Sequence, residues 1–168
     1  MVYPWFDIVD GDDIEQGDIF ERFQFRVVDD DDPETIHPLE RDIIVITQSC
    51  DIKEDKVTHL VCCPLYELEN YSTNIDRKLA GKDQRNAIIA GRIVHLHMLN
   101  QCDLRIERDF RLINFARILE VKKQKLISFS RTCGPRLRLL PPYREHMAQA
   151  FARSFMRVGL PADIPKFT

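Results

Sequence analysis

The first two thirds of the chain alternate between short apolar runs and polar segments, which is the pattern of several short strands. Residues 16–28 alternate with a period of two, apart from an irregularity near Phe20, and residues 43–46 form a continuous β-branched run. Alternation predicts a strand with one buried face, whereas an uninterrupted β-branched run is typical of a central strand. A second apolar run, 57–68, follows the polar turn 53–56, so we predict that the two runs pair as a hairpin.

The middle of the chain continues this pattern of short apolar runs and polar turns. Residues 93–99 form a predicted strand that places His95 and His97 on one face, and residues 108–123 supply further strand or short helical material. Residues 67–92 have space for one short helix. Short strands joined by polar turns predict a mainly β fold, α+β in class, built as a small, strongly bent sheet or barrel.

The clearest predicted element is a helix near the end of the chain, over residues 142–158. Pro142 suits its first turn, and Gly159 with Pro161 prevents its continuation. Apolar side chains recur at helical spacing and form one stripe: Tyr143, Met147, Phe151, Phe155 and Val158. Because such a stripe usually packs on the protein's own core, we predict that this helix closes the domain; a helix offered to a partner is the alternative.

Length and composition are those of one ordinary globular domain. A chain of 168 residues can bury a sizeable core, so we expect a single domain over residues 1–168, with a barrel core at 16–130 and a C-terminal arm and helix at 131–168. We predict a cytoplasmic protein, because no apolar stretch reaches the roughly 20 residues of a membrane-spanning helix and the N-terminus lacks signal-peptide features. The five cysteines include no CxxC pair, which predicts reduced thiols.

Charge is distributed unevenly along the chain, although the net charge is only −3. Residues 1–40 carry 13 acidic side chains and two basic ones, whereas residues 101–168 carry 14 basic side chains and six acidic ones. Clustered arginines bind phosphates or an acidic protein surface, so we predict a partner-binding surface in the C-terminal part. Its candidate residues are Arg131, Arg136, Arg138, Arg144, Arg153 and Arg157. The alternative is that these arginines pair within the fold with the acidic loop 29–32.

Five polar residues, 47–51 with the sequence TQSCD, follow the buried run 43–46. Side chains of Thr, Gln, Ser and Asp can satisfy backbone groups where a strand leaves its sheet, and we favour this structural role. The alternative is a ligand pocket formed by Arg41, Gln48 and Asp51.

Cys50 is a candidate nucleophile within this run. His59 or His37 could serve as its base, since a thiolate is a strong nucleophile. The adjacent Asp51 disfavours the thiolate, however, so we do not favour this chemistry.

A metal site would need ligands from the histidine-containing strand. His95 and His97 could combine with Cys102 or Cys50, at a spacing that is not specific for any metal. We predict solvent-facing or hydrogen-bonded histidines and no metal or other cofactor.

A Gly-Asp opening, a polar loop, an arginine, an apolar run with a hydroxyl residue at its end and a second strand with a proline follow one another over residues 16–67. These positions are Gly17, Asp18 and Ile19, the loop 29–40, Arg41, the run 43–46, Thr47, and Val61, Cys62, Cys63 and Pro64. In this order they resemble the MazF/PemK family of toxin-like proteins. The resemblance implies a small SH3-like barrel, often a homodimer, and in many members a metal-independent endoribonuclease that cuts single-stranded RNA.

If the chain is such a nuclease, the catalytic residues that we predict are Arg41, Thr47 and Asp51. The resemblance implies that Arg41 stabilises the charged phosphorus centre while a ribose 2′-hydroxyl attacks it, a role that suits a fixed guanidinium group. A further likeness, to small bacterial proteins with a TQSCD-like run and a similar C-terminal ending, implies only a shared build.

The chain departs from the family pattern at three places. Asp42 replaces the usual proline, Leu65, Tyr66 and Glu67 include no threonine, and the loop 29–40 is acidic and would repel phosphates. We therefore favour a non-catalytic or weakly catalytic module that binds a protein partner, such as an antitoxin-like or regulatory factor, through its charged loop and basic C-terminal part. The endoribonuclease is the alternative, and either form can be a homodimer.

Overall fold

The structure is a computed structural model and describes residues 3–28, 34 and 36–156. The strands are β1 (Phe6–Val9), β2 (Ile19–Val28), β3 (Ile36–Val45), β4 (His59–Glu67), β5 (Leu96–Leu99), β6 (Arg111–Asn114), β7 (Leu119–Lys122) and β8 (Arg136–Leu139). The helices are α1 (Ser49–Lys53), α2 (Leu68–Asn74), α3 (Lys82–Ile89), α4 (Lys123–Cys133) and α5 (Tyr143–Phe155), with a 3-10 turn at Arg77–Ala80. Helix and strand contribute similar shares, so the fold is mixed α and β rather than mainly β.

Six strands form one antiparallel sheet in the order β2-β3-β4-β6-β5, and β7 pairs with the first half of β4. Strands β1 and β8 form a separate two-stranded ribbon. Within the described part of the chain the strands close no barrel. β5 is therefore an edge strand of the large sheet.

The predicted pairing of the two central apolar runs is confirmed. β3 pairs antiparallel with β4, so that Ile44 lies opposite Cys63. The predicted irregularity near Phe20 is confirmed as well, since the register of β2 against β3 shifts after this residue. At this bulge Arg22 adopts a φ of 50° and its N–H donates to Asp42 Oδ1 at 2.8 Å.

The large sheet is covered on both faces because its strands alternate their side chains. One face, here called the ribbon face, packs against the β1–β8 ribbon and α5 in a core that includes Ile44, Ile113, Leu139 and Met147. The opposite face, here called the helix face, packs against α4 around Phe20, Ile43 and Leu126. Towards β5 the helix face packs against α2 and α3, around Leu68, Tyr71 and Ile88.

Two predicted segments, the loop 29–40 and residues 67–92, differ from the structure. The predicted loop 29–40 is a strand from Ile36 onward, because this end of β3 pairs with the end of β2. Residues 67–92 hold two helices and a 3-10 turn instead of one short helix. The predicted C-terminal arm and helix, 131–168, begin in the last turn of α4 and include strand β8.

The predicted C-terminal helix is present as α5, and Pro142 is its N-cap residue. Tyr143, Met147 and Phe151 pack on the ribbon-face core as the apolar stripe predicts. Phe155 is exposed, and its ring packs in a T-shaped arrangement with that of Phe151 at 5.1 Å between centroids. Val158, Gly159, Pro161 and Arg157 lie outside the described residues. No helix in the described ranges is long and apolar enough to cross a membrane.

Candidate functional site

The polar run 47–51 satisfies backbone groups, which confirms the structural role for two of its members. Thr47 Oγ1 accepts the Val61 N–H at 2.7 Å, and Ser49 Oγ accepts the Gln16 N–H at 3.1 Å. Gln16 in turn donates to the Ile46 carbonyl at 2.8 Å. The run therefore ties the end of β3 to β4 and to the N-terminal segment.

Cys50 and Asp51 lie in the first turn of α1. The Cys50 thiol is exposed and lies 3.7 Å from Gln48 Oε1 and 3.8 Å from Asp51 Oδ1, two hydrogen-bond acceptors. Asp51 lies 4.0 Å from Lys56 Nζ. His59, one of the two predicted bases, lies instead with its Nδ1 3.1 Å from Thr58 Oγ1 and 3.9 Å from Glu120 Oε1.

Arg41 lies in a different place from Thr47 and Asp51. It lines a surface pocket of about 330 Å³ between the β2 bulge, β3, β4 and α2. Tyr66 and Glu67 line the same pocket, whereas six residues of extended chain, about 20 Å, separate Arg41 from Thr47. The structure therefore brings together Arg41 and the residues at the end of β4, but not the three predicted catalytic residues.

Most of the predicted partner-binding arginines are paired inside the molecule. Apart from Glu145, their described acidic partners lie in residues 12–18. The acidic loop 29–32 lies outside the described residues. The pairs are Arg131 with Asp12 at 2.7 Å, Arg136 with Asp18 at 2.9 Å, Arg138 with Asp18 and with Glu15 at 3.2 Å, and Arg144 with Glu15 at 3.6 Å and with Glu145 at 3.0 Å. Asp18 and Arg136 are buried, so this pairing belongs to the core.

Glu15 is the centre of these contacts near α1. Besides Arg138 and Arg144 it accepts a hydrogen bond from Lys53 at 2.8 Å, and this hydrogen bond lowers the pKa of the Glu15 carboxyl. Ser49 lies 3.5 Å from the same carboxylate. The acidic N-terminal segment therefore pairs with four of the six arginines that the sequence offers for a partner.

Arg153 differs from the other four predicted arginines that the structure describes, because no carboxylate in the described ranges pairs with it. Its Nε lies 3.4 Å from the Gln149 carbonyl of the same helix. The side chain is exposed on α5 and lines a cavity of about 410 Å³.

This cavity continues into a second one of about 280 Å³, because both are lined by Ile88, Ile89, His97 and His146. Together they form a cleft along β5 between α3 and α5, here called the edge groove. His97 points to the ribbon face and Met98 to the helix face, yet both line the groove. The groove therefore follows the free edge of the sheet and reaches both of its faces.

Aromatic side chains form one end of the edge groove. Trp5 stacks on Tyr143 with 3.7 Å between ring centroids and 10° between ring planes. Both rings line the groove together with Phe110. At the other side Ile89 is 69% exposed, which is unusual for a large apolar residue beside a cleft and is a feature of binding surfaces.

The histidines do not form a metal site in the described part of the chain, where no group of three or more His, Cys, Asp or Glu side chains is arranged to hold an ion. His97 stacks on Phe115 at 6.0 Å. Burial, with the nearby His146 and Arg153, lowers the pKa of His97 to about 4. His97 is therefore neutral at pH 7 and offers the groove a hydrogen-bonding imidazole.

Sequence reasoning missed the edge groove. Its residues come from the N-terminus, α3, β5 and α5, and no spacing along the chain connects Trp5 with Ile89 or His146. The available signals were the single tryptophan and the adjacent pair of isoleucines at the end of a short helix. These signals become informative only when the segments are placed side by side.

Comparison of the chain with protein-family models, with curated proteins and with solved structures gives no significant match. The chain is therefore characterised by its fold and its site alone. The fold is a mixed α and β domain with a two-face core, and the site is a groove at the edge of its antiparallel sheet.

Proposed function

We propose that this chain is a non-catalytic module that binds a protein partner in the edge groove. The observation that carries the proposal is a sheet edge flanked by two helices and lined by apolar and aromatic side chains. Sheet edges and apolar clefts are recurring sites of peptide recognition. The partner is a segment of another protein, of the antitoxin-like or regulatory kind.

The internal pairing of the arginines supports this position for the partner site. Arg131, Arg136, Arg138 and Arg144 already contact carboxylates, so a partner would have to displace these ion pairs. The edge groove requires no such displacement. Of the predicted basic residues, Arg153 lines the groove. The edge groove therefore includes one of the arginines that the sequence analysis proposed for partner binding.

The proposal retains the likeness to MazF/PemK proteins as an interpretation of the fold. In this interpretation, the six-stranded sheet corresponds to an SH3-like barrel that does not close, and helices α2 and α3 are additions that cover the helix face of the sheet. The bulge in β2 and the β3–β4 pairing support this interpretation, since strong bends and bulges are typical of small barrels.

The proposal is tested by selecting peptides from a random library displayed on phage against the immobilised full chain. We expect selected peptides to bind the unmodified protein and to lose at least about tenfold in affinity, roughly 1.4 kcal/mol, for Ile89→Glu. Ile118→Glu is the matched control, because Ile118 is also exposed, at 48%, and does not line the groove. Peptides that bind both variants equally, or a failure to enrich any peptide, would refute the proposal.

The second candidate function is endoribonuclease activity in the pocket of Arg41. The observation that favours it is that Tyr66 and Glu67, at the end of β4, line this pocket with Arg41. A carboxylate can take the proton from a ribose 2′-hydroxyl while a guanidinium stabilises the charged phosphorus centre. Glu67 and Arg41 would have these roles.

Purified protein incubated with a long single-stranded RNA in EDTA tests this second function. A nuclease of this kind would produce discrete fragments that disappear with Arg41→Ala and Glu67→Gln and persist with Arg117→Ala. Arg117 is the control because it is exposed and lies outside the pocket. Intact RNA at high protein concentration would exclude the nuclease and leave the binding module.

A further inference from the structure

The backbone at the edge of β5 presents hydrogen-bonding groups that the sheet does not use. His95 lies opposite Phe115 and accepts its N–H at 2.8 Å. In an antiparallel ladder, only every second residue bonds to a given neighbouring strand. Leu96 and Met98 therefore direct their backbone groups away from β6, towards the groove.

Among the described residues, one of these four outward groups has a partner and three have none. The Leu96 N–H donates to the Ile93 carbonyl at 3.1 Å. For the Leu96 carbonyl and for the N–H and carbonyl of Met98, the described residues provide no turn, loop or side-chain partner. These three groups match the donors and acceptors of an added strand.

The two walls of the groove differ in chemistry. On the helix-face side, Ile88 and Ile89 of α3 and Met98 of β5 form an apolar wall. The α5 side presents the polar or charged His146, Gln149 and Arg153, beside Tyr143 and Ala150. Because side chains of a strand alternate between two directions, a strand in this groove would direct every second residue to the apolar wall and the others to α5.

The charge of the groove has one sign. None of the described residues that line it is acidic, and Arg153 is its permanently charged member. Arg153 has no carboxylate partner within the described ranges, and His146 lies about two turns earlier on the same face of α5. A carboxylate from the occupant would therefore meet a guanidinium that no acid among the described residues already pairs with.

From these features we infer that the occupant is an extended peptide segment that adds a strand to β5 and alternates apolar with acidic residues. Its backbone bonds to Leu96 and Met98, its apolar side chains lie against Ile88 and Ile89, and a carboxylate pairs with Arg153. The inference rests on the proposed function and specifies the chemistry of the partner segment.

A synthetic ten-residue peptide that alternates Val or Phe with Glu, titrated into the ¹⁵N-labelled full chain, tests the inference. We expect the Met98 amide to become protected from hydrogen exchange on binding, because it donates to the added strand. Single N-methylation along the peptide is expected to lower affinity at least tenfold at alternate positions only. The same peptide with Lys in place of Glu is the matched control ligand.

Charge reversal at one protein position tests the acidic half of the inference. Arg153→Glu is expected to weaken the Glu peptide about tenfold, 1.4 kcal/mol at 25 °C, and to strengthen the Lys peptide. Arg117→Glu should change neither affinity, since this exposed arginine lies outside the groove.

Three outcomes would overturn the inference of an acidic added strand without refuting the proposal that the edge groove binds a protein partner. Library peptides that need Ile89 but tolerate N-methylation at every position would retain the groove and exclude strand addition. Equal affinity for Glu and Lys peptides would exclude the acidic partner. A dimer in sedimentation that Ile89→Glu dissociates would assign the edge to a second copy of the chain. If neither library peptides nor the synthetic peptide bind the unmodified protein, the proposed function itself is refuted.

Discussion

At the scale of single residues, two buried arginines show how differently the same side chain can be accommodated. Arg136 donates to Asp18 and to the carbonyls of Gly11 and Asp13, so each of its nitrogens has a partner. Arg111 is 1% exposed and its Nη1 lies 3.5 Å from Glu21, while its Nε and Nη2 have no partner in the described structure. Burial accordingly lowers the pKa of Arg111.

The two arginines therefore have opposite predicted effects when replaced by methionine. Arg136→Met leaves the buried Asp18 with fewer partners and is expected to lower the free energy of unfolding by about 3 kcal/mol. Arg111→Met removes a poorly satisfied charge, while Glu21 keeps its ion pair with Arg108, so the change should stay within about 1 kcal/mol. Urea unfolding of both variants measures the difference. A loss of several kcal/mol for Arg111→Met would contradict the argument.

At the scale of elements, β5 depends on α5 for its cover on the ribbon face. His97 stacks on Phe115, and the edge of Phe151 from α5 packs on the same ring. The pKa of His97 is about 4 in the folded chain against 6.5 as its ordinary value, chiefly through burial. A proton on His97 is therefore bound more tightly by the unfolded chain.

This shift predicts a pH dependence with a definite sign. Between pH 6.5 and pH 4 the unfolded chain binds the additional proton, so stability falls as pH falls through this window. The loss attributable to His97 is on the order of 2–3 kcal/mol at pH 4. Guanidinium unfolding at pH 4, 5, 6 and 7 should show this extra decrease for the unmodified chain and not for His97→Gln. Parallel pH profiles for the two proteins would show that His97 is not the group responsible.

At the scale of the whole molecule, the ribbon and the sheet meet at Gly17. Its N–H donates to the Val45 carbonyl and its carbonyl accepts the Leu139 N–H, both at 2.9 Å, so one residue connects β3 with β8. Its φ is +87°, and a Cβ placed there would lie 3.0 Å from Leu139 Cβ. Both the conformation and the space require glycine.

Gly11 is a matched comparison, because its φ of +81° is similar but no atom of the described residues lies within 4 Å of an added Cβ. We expect Gly11→Ala to lower the free energy of unfolding by about 1 kcal/mol, the cost of the left-handed conformation. Gly17→Ala adds the clash with Leu139 and should cost about 3 kcal/mol. Thermal and urea unfolding of the two variants compare them directly. Equal effects would mean that the ribbon can move away from the sheet without loss.

The sequence by itself determined the local features of this fold. The alternation in 16–28 and the β-branched run 43–46 predicted the central strands, their pairing and the bulge near Phe20. The apolar stripe after Pro142 predicted α5 and the side that it buries. These features follow from neighbouring residues, because periodicity and turn chemistry act over a few positions.

Tertiary structure alone decided the amount of helix, the partners of the arginines and the site. The charge asymmetry was visible in the sequence, but only the fold shows that Arg136 and Arg138 pair with Asp18, about 120 residues away along the chain. The position of β5 at the sheet edge, and the two helices that flank it, likewise depend on strand order. A groove is a property of surfaces from distant segments brought together, so no pattern along one segment could have predicted it.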